Sequence, residues 1–320
     1  MTAEADDVVT TRPAVVSLSV VICCYTEQRR HTLARAVTAT LAQLSGADEL
    51  IIVVDGNPAM YRRLAAAHDD RRVTVVENGF GRGLSGARNT GLEAARAEVV
   101  VFLDDDAVPG PSALDGVRRC FADPGVTALG GAVHPEWVDG HGPRWFPPEF
   151  GWVVGCDYRG LPSDGAAIRN PIGAAMAVRR RALHEIGGFS EQLGRIDTVP
   201  AGCEETMMGI ALTRRDPEAR VVRATSFDVA HVVPQERTTV SYFVHRCYHE
   251  GRSKAVLTRL CGRQSSLASE RCYVTRTLPL GLWDARRRPT RMLALTAGLV
   301  VTGVGYVAGL AATSRLERDL

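Results

Sequence analysis

Apolar and polar positions follow two alternating periods along the first third of the chain. Residues 17–23, 50–54, 73–76 and 99–103 are short apolar runs bounded by polar or turn-forming residues. Runs of this length predict strands, and the unbroken ones predict strands buried on both faces, as in a parallel sheet. Between them, residues 31–44 carry Leu33, Val37, Leu41 and Leu44 at helical spacing, and residues 60–68 and 86–96 also read as helices. Asp55-Gly56-Asn57-Pro58 is a turn signal between the second strand and its helix. Strand and helix alternate four times with short links, which predicts right-handed βαβ units in a mainly parallel sheet flanked by helices, an α/β fold. After residue 121 the pattern loosens. Gly, Pro and Trp crowd residues 130–162, which predicts a long irregular stretch. A strand is expected over 172–178, a helix from Arg180, another near Glu204 and a last one over 238–257.

The two ends differ. Residues 1–13 are polar, with Glu4, Asp6 and Asp7, and lack the basic and apolar regions of a secretory signal. Residues 292–312 are 21 consecutive positions without a charge. As a helix rising 1.5 Å per residue, such a stretch spans a bilayer core of about 30 Å. The alternative, a buried core helix, rarely runs so long without a polar face. Arg286, Arg287, Arg288 and Arg291 precede it, whereas Arg315 and Arg318 after it are diluted by Glu317 and Asp319. The bias predicts a single-pass anchor in the cell membrane with the preceding domain in the cytoplasm. The expected organisation is a flexible tail over 1–15, a globular domain over 16–260, and a basic juxtamembrane segment over 261–291. The transmembrane helix over 292–312 and a short tail over 313–320 complete it.

Composition narrows the partners. Lys plus Arg is 38 against 36 acids, which excludes bulk electrostatic binding to nucleic acid. Lys254 is the single lysine. The eight cysteines include no CxxC pair, matching neither a zinc site nor a secreted disulfide framework, and fit a reducing cytosol.

Two segments carry candidate chemistry. Asp104, Asp105 and Asp106 follow the apolar run at 99–103, at the strand end where open α/β sheets place ligands. In an extended chain Asp104 and Asp106 point to one side and Asp105 to the other. Such oxygen ligands suit Mg²⁺ or Mn²⁺ held together with substrate phosphates; the alternative is an idle acidic turn. Gly81-Arg82-Gly83-Leu84-Ser85-Gly86 satisfies GxGxxG between a strand and a helix, the spacing of a dinucleotide fingerprint. An NAD-dependent oxidoreductase is therefore one reading. Against it, two βα units come first, Arg88 sits in the helix's first turns, and the expected lone acid is a triplet.

The ordered set of motifs is more specific than either segment. SVVICCYTE at 19–27, Val54-Asp55-Gly56, LSGARNTG at 84–91 and FLDDDAVP at 102–109 are followed by NPIGAAMAVR at 170–179, EIGGFS at 185–190 and GCEET at 202–206. In these residues the chain resembles the family 2 glycosyltransferases, inverting nucleotide-sugar-dependent enzymes of the GT-A fold, over roughly residues 16–255. His231 and the segment Arg237 to Lys254 are similar to a narrower subgroup that transfers a sugar such as glucuronate onto polyprenyl- or dolichyl-phosphate-linked acceptors.

The resemblance implies roles. Tyr25, Thr26, Glu27 and Asp55 would hold the nucleoside, and Arg88 the base or diphosphate. Asp104 and Asp105 would belong to the nucleotide-sugar site, with Asp104 facing ribose and sugar. Asp106 would bind the Mg²⁺ or Mn²⁺ ion, with Asp104 and His231 as further ligands. Glu205 would be the catalytic base, although the departure from the commoner Glu-Asp pair leaves Glu204 open as well. Such a reaction needs a neutralised diphosphate leaving group and a base in reach of the acceptor hydroxyl. Arg237, Arg246, Arg252 and Lys254, on an expected helix leading to the anchor, would line a groove that holds the phosphate of a lipid-linked or cell-envelope glycan acceptor near the membrane lipid; the alternative is a basic juxtamembrane surface that only contacts anionic lipid. A non-catalytic, membrane-tethered nucleotide-binding protein is the third reading.

Overall fold

The computed structural model describes residues 16–193 and 202–316. The tail expected over 1–15 lies outside the described residues, as does 317–320 of the tail expected over 313–320, whose first four residues instead continue the C-terminal helix. The four apolar runs are strands: β1 (Leu18–Cys24), β2 (Glu49–Val54), β3 (Val73–Glu77) and β4 (Val99–Asp104). β1, β2 and β4 are almost wholly buried, as continuous apolar runs covered on both faces must be. Helices α1 (Arg30–Leu41), α2 (Pro58–Ala67) and α3 (Leu84–Ala94) connect them. α1 buries Leu33, Ala36, Val37 and Thr40. α2 starts where Asn57 accepts a hydrogen bond from the Met60 N–H, with Pro58 in the first turn.

Beyond Asp104 the chain adds β5 (Ala107–Pro109), α4 (Ala113–Phe121), β6 (Val126–Trp137), β7 (Ala175–Arg179), α5 (Arg180–Glu185), α6 (Glu204–Arg215) and β8 (Arg220–Val233). The eight strands form one mixed, mostly parallel sheet in the order β3-β2-β1-β4-β7-β6-β8-β5, in which β4 pairs antiparallel with β7 and β5 antiparallel with β8. The stretch expected to be irregular opens with β6, twelve residues long. Its core half is buried like the other strands, but its glycines and His134-Pro135 hide the period in sequence.

α7 (Val240–Cys261) is followed by the short helices α8 (Arg263–Ser266) and α9 (Ala268–Cys272) and a π-helical turn at Tyr273–Thr277. Then come α10 (Leu278–Asp284) and α11 (Pro289–Leu316). α11 is long and apolar enough to cross a membrane. It is not separate from the domain. A Cβ on Gly305 would collide with the Tyr248 carbonyl, one on Gly251 with the Thr302 carbonyl, and one on Gly309 with Ala255, so α7 and α11 pack backbone to backbone through glycines. Residues 261–291, expected as a juxtamembrane segment, form these short helices up to residue 287 and the first residues of α11.

Candidate active site

The site forms where β1, β2 and β4 end. β4 stops at Asp104, and Asp105 and Asp106 form a turn before β5. The expected alternation of an extended strand is thus replaced by a turn, which yields the same separation. Asp105 is buried and bound by the Arg29 guanidinium at 2.7 Å. Asp104, Asp106 and His231 offer ligand atoms that all lie within 4.8 Å of one another. Strand pairing sets this cluster: Ala107 is opposite His231, and the Val232 N–H donates to the Asp106 carbonyl at 2.9 Å.

The buried histidine and aspartate shift each other. Burial works against the charged form of His231, but Asp106, 3.1 Å from Nε2, outweighs it and lifts the imidazole to about 10. Asp106 moves the other way: burial would raise it, and His231, Arg29 and Arg237 together hold it below the usual carboxylate range. Cys156 Sγ lies 3.6 Å from His231 Nδ1 and fixes the ring from behind. Asp106 Oδ1 is buried and, despite its nearness to His231, has no hydrogen bond of good geometry. An acidic pair with a histidine and an unfilled buried oxygen fits a divalent cation that accepts O and N ligands.

Arg88 ties this cluster to α6. Its guanidinium is 3.1 Å from Glu205, 3.3 Å from Glu204 and 3.6 Å from Asp104, and it donates to the Gly173 carbonyl. Burial opposes its charge, but Glu205, Glu204 and Asp104 more than offset this and move its pKa up. Glu205 is the more open of the pair, its side chain 16% exposed against 4% for Glu204. A Cβ on Gly173 would collide with Glu205 Oε1, so the glycine of NPIG makes room for this carboxylate. Cys203, which precedes α6, has φ 77° and is the only non-glycine residue with positive φ among the described residues. Backbone strain of about 1–3 kcal/mol is held at the point that aims the glutamates.

A cavity of about 630 Å³ joins these groups: Arg88, Asp104, Glu204, Glu205, His231 and Arg237 all line it. Arg246 and Lys254 line it too. With Glu250 they occupy one face of α7 at i, i+4 spacing, where Arg246 pairs with Glu250 at 2.8 Å and Lys254 with Glu270 at 2.6 Å. Arg252 departs from the expectation. It is exposed and outside the cavity lining, because two residues along a helix from Glu250 point to another face. Tyr25, Thr26, Glu27 and Asp55 stand apart from the cavity at the ends of β1 and β2. Thr26 accepts from the Gln28 N–H, Glu27 pairs with Arg63, and Asp55 accepts from Asn78 and from the Gly83 N–H.

The glycine loop has a structural use. A Cβ on Gly86 would collide with the Gly81 carbonyl, so that glycine lets the loop fold onto itself. Sequence reasoning missed Arg29, Arg169, Glu250 and Glu270. Arg29 adjoins Arg30 in a run with no periodic signal, and Arg169 and Glu270 become partners only through tertiary packing, whereas the i, i+4 spacing of Glu250 from Arg246 and Lys254 is a signal the sequence carries.

A mixed, mostly parallel eight-stranded sheet of this order, with an acid cluster at the end of β4, is an α/β sheet like those of GT-A structures. Residues 19–187, more than half of the chain, match the model of Glycosyl transferase family 2, and the chain belongs to that family. It is a glycosyltransferase that uses a nucleotide-sugar donor, which overturns the oxidoreductase reading of the glycine loop. The glucosyl-dolichyl phosphate glucuronosyltransferase of Haloferax volcanii is 29% identical over 95% of this chain and 99% of its own length. A pre-mycofactocin glycosyltransferase of Mycobacterium tuberculosis is 28% identical over 45% of this chain and 31% of its own. Among solved structures, the mannosyltransferase PcManGT of Pyrobaculum calidifontis, in complex with GDP-Man and Mn²⁺, superposes with a TM-score of 0.58. It covers 91% of this chain and 86% of that one at 19% identity, a likeness of fold.

Proposed function

We propose that the protein is an inverting transferase that moves a hexose or hexuronate from a nucleotide-diphosphate sugar to a hydroxyl of a lipid-linked or cell-envelope glycan. The observation that carries this reading is the single cavity in which Asp104 and His231 share walls with Glu205 and with the cationic face of α7. The similarity to a glucosyl-dolichyl phosphate glucuronosyltransferase along almost its whole length supports a polyprenyl- or dolichyl-phosphate-linked acceptor.

Asp104, Asp106 and His231 would hold Mg²⁺ or Mn²⁺, which supplies Lewis-acid neutralisation of the diphosphate leaving group. Glu205 takes the proton of the acceptor hydroxyl as its oxygen bonds to the anomeric carbon. The bond from that carbon to the phosphate oxygen breaks in the same step, its electron pair leaves with the diphosphate, and the configuration inverts. Arg88, 3.1 Å from Glu205, orients the base, while Glu204, more deeply buried, anchors Arg88. Asp55 and the 25–27 segment would carry the nucleoside at the ends of β1 and β2, Asp104 and Asp105 completing the donor side. Arg237 and Arg246 would meet the acceptor phosphate, and exposed Arg252 the lipid headgroups.

α11 would anchor the enzyme as a single membrane pass, with the arginines at 286–288 and 291 keeping the catalytic domain cytoplasmic. The test uses the full chain in detergent, nucleotide-diphosphate hexoses and hexuronates as donors, and either a glucosyl polyprenyl phosphate or the matching water-soluble glucoside as acceptor. The reading expects Mn²⁺-dependent transfer to the lipid-linked acceptor. Equal transfer to the soluble glucoside would overturn the lipid-linked acceptor.

A further inference from the structure

The cavity has a second arm of different chemistry. The Arg246 guanidinium lies 5.8 Å from the Trp152 ring, whose Nε1 donates to Tyr273 Oη at 3.4 Å. Past these aromatic side chains the lining reaches α11, at Leu299, Thr302, Gly303 and Tyr306. Ionic groups thus give way to aromatic and aliphatic ones from one end of the cavity to the other.

The glycines of α11 divide by what they touch. Gly298 is pressed against Phe150 and Phe243, Gly305 against Tyr248, and Gly309 against Ala255. Gly303 is different: a Cβ there would meet nothing within 4 Å, although the residue lines the cavity. Helix packing does not require a glycine at 303, and a glycine in a helix interior costs about 1 kcal/mol relative to alanine. Around the helix, Val300, Val304 and Val307 are each more than half exposed and form an apolar outer face. The apolar arm therefore ends on the element whose other side is apolar and open.

We propose that the acceptor's isoprenoid tail leaves the site through the slot between α11 and the Tyr273–Thr277 turn, and that Gly303 keeps this slot open. The proposal rests on the lipid-linked acceptor of the preceding subsection and deepens it. With the phosphate at Arg246, the tail passes from the aromatic arm to the outer face of α11 without crossing water. α11 is then a wall of the acceptor site as well as an anchor.

The experiment compares kcat/KM of the full chain for a glucosyl phosphate carrying a long polyprenyl chain with that for one carrying a geranyl chain. Gly303→Phe is expected to lower the long-to-short ratio about tenfold, the size of an overpacking penalty. Leu299→Trp, one turn earlier on the same wall, should shift the ratio in the same direction, and Val138→Phe, exposed at the end of β6 and outside the cavity lining, should leave it unchanged. Retained binding of a nucleoside diphosphate shows that each variant is folded. An unchanged ratio in both Gly303→Phe and Leu299→Trp overturns the slot while leaving the lipid acceptor standing. Failure of the wild-type protein to use either lipid acceptor overturns both.

Discussion

At the scale of single residues, the site depends on side chains that share partners. Asp105 and Asp106 are neighbours in sequence that share Arg29, at 2.7 and 3.1 Å, and each keeps a buried oxygen without a hydrogen-bond partner, but only Asp106 lies beside His231, at 3.1 Å, in the cluster with Asp104. Asp106→Asn is expected to abolish the Mn²⁺ requirement of nucleoside-diphosphate binding together with the affinity it confers, while Asp105→Asn retains it; calorimetric titration with and without Mn²⁺ checks this. Equal loss in both variants would contradict the assignment of the ligands. Gly173 gives a second prediction. Its missing Cβ is the space that Glu205 occupies, so Gly173→Ala should displace the carboxylate and lower kcat about a hundredfold with little change in donor affinity. Sequence placed Asp106, His231 and both glutamates among the candidates, because their motifs occur in order. It could not show that Arg88 touches Glu204 and Glu205, since those contacts join α3 to positions more than a hundred residues away at the start of α6.

At the scale of elements, two joints hold the acceptor half together. One is ionic: Glu270 on α9 receives Lys254 from α7 and Arg169 from the loop before β7. Burial would raise the Glu270 pKa, but Lys254 and Arg169 lower it to about 2. A carboxyl depressed in the folded state stabilises above its unfolded pKa and loses that contribution as pH falls toward the folded value. The window therefore runs from about pH 4.3 down to about pH 2, with an upper bound of about 3 kcal/mol, since the group is partly exposed. The acid limb of the wild-type Tm profile should be steeper than that of Glu270→Gln, and identical limbs would refute the coupling. The other joint is the glycine seam between α7 and α11. Gly305→Leu, forced against the Tyr248 carbonyl, should cost about 1–3 kcal/mol and lower Tm, whereas a leucine at 303 meets open space and should not. The apolar length of α11 was legible in sequence, but its docking was not. Its glycines read equally well as membrane-helix residues, and only α7 beside it shows which of them carry backbone contacts.

At the scale of the whole molecule, the order of strands and helices up to residue 104 was readable because buried parallel strands are unbroken apolar runs. Past that point the sheet turns mixed. β6 ends in an open stretch without alternation, β8 alternates in burial only from Phe227 on, with His231 among its buried positions, and their interior glycines and arginines owe their places to neighbours such as Asp157, which holds Arg223. The same mixed half brings His231 beside Asp106 and lays the α7 cations along the cavity, so the acceptor side was the part least visible in advance. Arg252 shows the limit: it shares a cationic segment with Arg246 but not a helix face. The central claim is that one cavity combines a cation site with Glu205 as the base. Its most direct test measures kcat for transfer and the affinity for nucleoside diphosphate in Glu205→Gln and Glu204→Gln side by side. Loss of the base should reduce kcat in Glu205→Gln by about a hundredfold to ten-thousandfold with donor affinity retained, and Glu204→Gln should fall less. Near wild-type turnover in Glu205→Gln, with the loss appearing in Glu204→Gln instead, would contradict the account.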